Sequence, residues 1–216
     1  MDTGLLKKLD PFFRQYKPLY CKKGQIILRP EDKVDSIYFI EKGYVRFYSI
    51  SEDGRELTYL IYKPGYLFPI IYTFLGETTK YYFDALTPLI LRRAPRDAFT
   101  NLVAGNSSAL FAIGQEIVIR FDEMLNRMQY SAFGSAYQAV AHLLFSLGEQ
   151  FGTRKGESME INLPVTHKDI ASMAGLTRET VSLAMKQLEG NKFIIYKRKH
   201  ITIRNVDKLK NEISLY

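Results

Sequence analysis

The 216-residue chain is poor in the groups that most site chemistry needs. It holds one cysteine, Cys21, and three histidines, His142, His167 and His200, all in its C-terminal part. A single thiol excludes an intramolecular disulfide and the multi-cysteine ligation of an iron–sulfur cluster. Cys21 itself reads either as a redox sensor or as a small buried hydrophobe. Without histidine, the first half cannot build a His-ligated metal site or a His-based catalytic site. No cofactor and no metal are expected, and no nucleophile or paired-carboxylate pattern suggests an enzyme. No apolar run approaches a membrane span, and Met1 to Asp10 is charged and lacks the apolar segment of a signal peptide. No membrane association is therefore expected, and the expected location is cytoplasmic.

What is present is a basic excess on a chain with enough apolar residues for real cores. Hydrophobic residues make up 46% of the sequence, and 30 Lys and Arg outnumber 23 Asp and Glu, a net charge of +7. Before Ser135 there are 18 basic and 15 acidic residues, and from Ser135 onward 12 and 8. The shorter part thus carries 4 of the 7 excess charges, which favours an anionic partner there.

Val165 to Leu188, VTHKDIASMAGLTRETVSLAMKQL, has the spacing of a helix-turn-helix. Thr166 caps a first helix, and Asp169 three residues on completes a Thr-x-x-Asp start. Ala171 falls where two helices cross closely. Gly175 gives the turn its backbone freedom, and Leu176 gives it an apolar anchor. Thr177 starts the second helix, in which Val181, Ala184, Met185 and Leu188 recur at three and four to form a buried stripe. Arg178, Glu179, Ser182 and Lys186 remain on the outward side. That set suits the major groove of double-stranded DNA: Arg meets guanine edges, Glu accepts from cytosine amino groups, and hydroxyls and Lys reach phosphates. The same spacing also fits an ordinary amphipathic helix pair with a solvated face. The following sequence favours DNA. Phe193 to Lys197 and Ile201 to Arg204 predict two short strands joined by Lys197, Arg198, Lys199 and His200, a wing. Between Asn191 and Lys210 seven Lys or Arg face one acid, Asp207.

Upstream, a short helical lead is expected around Leu5 to Gln15. Ile26 to Leu28, Ser36 to Glu41, Tyr44 to Ile50 and Glu56 to Tyr62 then read as short strands between Gly-containing turns, as in a small antiparallel barrel or jelly roll. Arg55 and Tyr59 alternate poorly with Leu57 and Leu60, which leaves the inner face of that strand open. A helix is predicted near Pro95, and a longer one from Ser107. Along it Leu110, Ile113, Ile117, Phe121, Met124 and Met128 step by three and four, a seam that fits either a second copy of the chain or the barrel itself. Periodicity breaks at Ala132 to Ser135, with Ser135 a good new cap, and this is the expected hinge. Tyr137 to Phe151 then predicts a helix and Glu157 to Leu163 a strand.

Taken together these features resemble the Crp/Fnr family of bacterial transcription regulators. Two segments carry the resemblance, which extends over almost the whole chain. VDSIYFIEKGYVRFYSISEDGRELTYLIYKPGYLF (Val34 to Phe68) resembles the family's barrel segment, and LTRETVSLAMKQLEGNKFI (Leu176 to Ile194) its recognition helix and wing. The implied fold class is α+β. An N-terminal cyclic-nucleotide-binding-like β jelly-roll barrel is expected over 1–105, a dimerisation helix and hinge over 106–134, and a C-terminal winged helix-turn-helix over 135–216. The resemblance further implies a homodimer on a palindromic operator, contact with RNA polymerase, and an effector in the barrel. By position, Arg178, Glu179 and Ser182 match base-contacting places, and Thr166 and Thr177 match phosphate-facing caps; Lys186 and Lys199 complete the expected DNA-binding set. Leu183 stands where family members commonly carry Arg.

The effector side departs further. Cyclic-nucleotide binders of the family carry a Gly-Glu pair and, about ten residues later, Arg followed by Ser or Thr. Here those places read Phe68, Pro69, Ile70 and Thr79, Lys80, Tyr81, so cyclic AMP is not the expected effector. An aromatic-rich segment with Phe68, Tyr72, Tyr81 and Tyr82, matched to Met124 and Leu125 on the long helix, suggests a pocket for an apolar or aromatic small molecule. The alternative is that these rings fill the barrel and no ligand exists. A second functional reading is a small-molecule-binding barrel that acts through protein contacts without operator recognition.

Overall fold

β-branched and aromatic runs between glycine turns become eight strands in the first half of the chain. A computed structural model describes residues 9–213, which divide into one compact unit ending at Arg120 and another beginning at Phe121. In the first unit β1 (Pro18–Cys21), β3 (Ser36–Lys42), β6 (Leu67–Phe68) and β8 (Leu89–Pro95) form an antiparallel sheet ordered β1-β8-β3-β6. The second sheet, ordered β2-β7-β4-β5, contains β2 (Ile26–Leu28), β4 (Val45–Ile50), β5 (Glu56–Tyr62) and β7 (Tyr82–Ala85). Neither sheet closes on itself, so the expected barrel is a jelly-roll-like pair of sheets over one shared core.

The poor alternation of β5 has a physical cause. Phe47 pairs with Leu60 but Tyr48 pairs with Thr58, so Tyr59 is an extra residue opposite that step, a β-bulge. The bulge turns Tyr59 inward, onto Phe47 at 5.4 Å and Tyr81 at 5.1 Å between ring centroids. Across β4 and β7, Arg46 donates to both Asp84 oxygens and to Glu56 and lies 3.8 Å over the Tyr48 ring.

Three short helices close this unit. α1 (Asp10–Arg14) inserts Phe13 against Phe39 at 5.2 Å; the start of the expected lead, before Leu9, lies outside the described residues. α2 (Ile70–Leu75) was not anticipated, because its run of apolar and aromatic residues also fits a strand; Pro69 caps its start and left-handed Gly76 its end. In α3 (Arg96–Ala104) Pro95 is the N-cap, one place before the expected first turn.

α4 (Ser107–Phe133) corrects the predicted seam. Ile113 is 1% exposed and, with Ala109, belongs to the core of the first unit. The exposed heptad keeps Phe121 and Met128 of the expected seam and adds Phe111, Val118 and Leu125 at one position and Gly114 at the other, flanked by Leu110 and Ile117. A helix that is apolar on two sides hides from one-dimensional periodicity which side its own fold uses.

In the second unit Ser135 caps α5 (Ala136–Phe151) in a reciprocal box with Gln138. A Cβ at Gly148 would lie 2.5 Å from Met159 Sδ, so glycine lets this helix press onto the sheet below it. That sheet has four strands, in the order β11-β12-β10-β9: β9 (Gly152–Lys155), β10 (Ser158–Ile161), β11 (Ile194–Lys197) and β12 (His200–Ile203). β9, sequence GTRK, carries no apolar alternation and was missed. α6 (His167–Ala174) and α7 (Arg178–Gly190) form the helix pair, and α8 (Val206–Glu212), also missed, follows β12. No single helix among the described residues is long and apolar enough to cross a membrane.

Candidate nucleic-acid interface

The helix pair is built by local chemistry. Thr166 and Asp169 form a full capping box: the Thr166 amide and hydroxyl both donate to Asp169 Oδ2, at 2.7 Å each, and the Asp169 amide donates to Thr166 Oγ1. Gly175 ends α6 at φ 68°, and Leu176 N–H bonds back to the Ala171 carbonyl at 3.1 Å. This is a Schellman closure, which a side chain would strain. Thr177 caps α7 by accepting from the Thr180 amide at 3.1 Å. Val181, Ala184, Met185 and Leu188 are all at most 5% exposed, as the three-and-four spacing requires.

On the opposite side Thr177, Arg178, Glu179 and Lys186 are exposed. Arg178 and Glu179 stand in the first turn, where a helix entering a groove points its residues at base edges. Ser182 is placed differently. Its hydroxyl donates to the Arg178 carbonyl at 2.9 Å and lies 2.9 Å from His167 Nδ1. A hydroxyl has one proton, so Nδ1 must be the donor to Ser182, and this assigns the tautomer. His167 Nε2 is then an unprotonated, buried nitrogen with no hydrogen-bond partner. Burial, reinforced by the Arg178 charge, pushes the His167 pKa down. The ring stacks on Tyr196 of β11, 4.9 Å between centroids. His167 thus ties α6, α7 and the wing together. Sequence reasoning missed it, because a histidine 15 positions before its serine partner leaves no periodic signal.

The wing presents the remaining charge. Lys197 pairs with His200, leaving Arg198 and Lys199 as a two-residue turn, both left-handed, at φ 49° and 69°. Such turns favour Asn-Gly, and a side chain with a Cβ costs about 1–2 kcal/mol per left-handed residue. Two cations held there at that cost are an observation in favour of a polyanionic partner. The Tyr196 amide donates to Glu189 at the end of α7 at 2.9 Å, which fixes wing and reading helix in one unit.

Two family models match the chain: a cyclic nucleotide-binding domain over residues 18–106 and a Crp-like helix-turn-helix domain over 138–212. This chain belongs to the Crp/Fnr family. It is a DNA-binding transcriptional regulator, of a family of regulators rather than enzymes. Regulatory protein HlyX of Actinobacillus pleuropneumoniae is 27% identical over 216 residues, 94% of this chain and 84% of that protein. The global nitrogen regulator of Synechococcus elongatus is 24% identical over 198 residues, 89% and 88% of the two chains. Among solved structures, a CooA mutant from Carboxydothermus hydrogenoformans shares the fold with a TM-score of 0.83 at 20% identity, over 99% of this chain and 97% of that one.

In this Crp/Fnr regulator three of the expected effector residues, Phe68, Tyr72 and Tyr81, share one run of rings within the first unit. Phe68 packs on Phe83 at 5.5 Å, Phe83 on Phe47 at 4.8 Å, Phe47 on Tyr81 at 5.0 Å and Tyr81 on Tyr72 at 6.4 Å, one continuous run of rings. Tyr82, one residue on from Tyr81, points to the other face of β7 and stacks on Tyr48 at 5.2 Å, because neighbours on a strand alternate. Met124 and Leu125 lie on α4 beyond Arg120, in the other unit. At the place of the family's Arg-Ser or Arg-Thr, Thr79 is buried and its hydroxyl bonds the Tyr81 backbone. A cleft of about 380 Å³ lined by Tyr16, Asp35, Ser36, Arg93 and Pro95 includes none of the expected residues.

Proposed function

We propose that this regulator acts in the cytoplasm as a homodimer that reads a palindromic operator and contacts RNA polymerase, with an effector other than cyclic AMP or with none. The reading rests above all on one observation: the exposed first turn of α7, with Arg178 and Glu179, shares a unit with a strained basic turn at Arg198 and Lys199. Arg178 and Glu179 meet base edges. Thr177, Lys186 and Lys199 meet phosphates, and Thr166 and Ser182 hold the readers in place. The sensor region covers 1–105, the dimer helix and hinge 106–134, and the DNA-binding region 135–216. Two copies pair along the exposed heptad of α4, where Phe111 is 68% and Val118 65% exposed. Exposed large apolar side chains recurring at heptad spacing are unfavourable in water and are the usual seam of a coiled coil.

Selection of sites from a random DNA pool, without added ligand, tests this. The expected outcome is a two-fold related sequence with half-sites about 34 Å, one helical turn, apart, and an affinity that falls steeply with salt. Binding as a monomer, or with equal affinity for all sequences, overturns it.

A further inference from the structure

We propose that Leu183 reads the C5-methyl group of a thymine in each half-site. The inference rests on the DNA-reading role of α7 and adds to it a base and a contact. Leu183 is 71% exposed on a helix whose other large apolar residues are buried. It contributes almost nothing to the core, so its place is not explained by folding. It sits four residues after Glu179 and three before Lys186, on the face that carries the candidate readers. The neighbouring polar group is occupied, because the Ser182 proton goes to the Arg178 carbonyl. At this level of the helix the side chain offered outward has neither donor nor acceptor. Of the features in the major groove only the thymine methyl rewards such a group. Guanine, adenine or cytosine edges pressed against it lose water without gaining a partner, which discriminates against them. A rise of about 1.5 Å per residue puts Leu183 about 6 Å along the helix from Glu179, a distance of about two base-pair steps.

The test uses the full-length protein and its selected operator. Each thymine is replaced in turn by deoxyuridine, which keeps base pairing and removes only the methyl. One position in each half-site is expected to weaken the wild type about fourfold, about 15-fold when both half-sites are changed, from a methyl burial worth about 0.8 kcal/mol. Leu183→Ala, at an exposed position, keeps its fold and salt dependence and is expected to be indifferent to that replacement. A cytosine at the same position binds the wild type better when it carries a 5-methyl group. Full wild-type affinity with every thymine replaced, or an equal loss in Leu183→Ala, overturns the assignment while leaving DNA reading intact. If wild type and variant both fail to select any sequence, the DNA-reading role itself falls, and the inference with it.

Discussion

The two units place some of their costly residues differently. In the first, the groups most expensive to bury satisfy one another: Arg46 is held by Asp84 and Glu56 over Tyr48, and the rings from Phe68 to Tyr72 pack in a run. In the second, three residues that local energetics disfavour face outward: Arg198 and Lys199 in left-handed backbone, and Leu183 bare on α7. A surface that the chain leaves unsatisfied at its own expense is shaped by what binds it. An interior whose odd residues complete one another is shaped by folding.

The largest expected effect breaks the first half of that contrast. Arg46→Ala strands Asp84, whose side chain is 10% exposed, and is expected to destabilise the first unit by about 3–5 kcal/mol in denaturant unfolding. Specific DNA binding measured where the variant is still folded should be unchanged; loss of sequence preference would show that the units do not divide their tasks in this way.

A pH titration sharpens the second half. Burial, helped by the Arg127 charge, pushes the His142 imidazole down to about 4 from its ordinary 6.5, and His167 shifts in the same direction. His142 stacks on Tyr130 at 3.8 Å. The fold favours the neutral form of both rings, so below about 6.5 the unfolded chain takes up more protons. Stability of the second unit is therefore full above that pH and falls as pH drops toward about 4, with His142 contributing of order 3 kcal/mol. His142→Gln should flatten that part of the stability curve, and an unaltered curve would show that the ring is not held neutral.

Smaller effects separate the readers from the anchors. Glu179→Ala is expected to relax preference at one base pair, by about 1–3 kcal/mol, whereas Lys199→Ala weakens all sequences alike and lowers the salt slope by about one. Equal losses across a panel of altered sites for both variants would sink the distinction. Smallest of all is the turn. Replacing Arg198 and Lys199 together by Asn and Gly should raise the stability of the second unit by about 1 kcal/mol while weakening every DNA sequence, as melting and affinity measured on one preparation would show. A variant that gains nothing in stability would mean that the cations are not held against a cost.

The helix pair was legible almost to the residue. Thr166, Asp169, Gly175, Thr177 and the stripe from Val181 to Leu188 depend on partners three to five positions away, and a sequence displays such relations directly. Of the residues expected to face DNA, Arg178, Glu179 and Lys186 are exposed, and Ser182 is bonded to His167. In the first unit less was readable. The Tyr59 bulge reverses the strand alternation, Tyr82 falls on the face opposite Tyr81, and Ile113 faces the core, all settled by pairings far along the chain.

By itself the sequence determined the helix pair, its caps, the cationic wing and the poverty of metal and redox ligands, since each depends on composition or on neighbours within about one helical turn. The tertiary structure decided which apolar face of α4 stays bare, which rings fill the first unit and which hydroxyl is taken by His167. Those outcomes depend on strand register and on contacts between distant segments, where a shift of one residue reverses which way a side chain points.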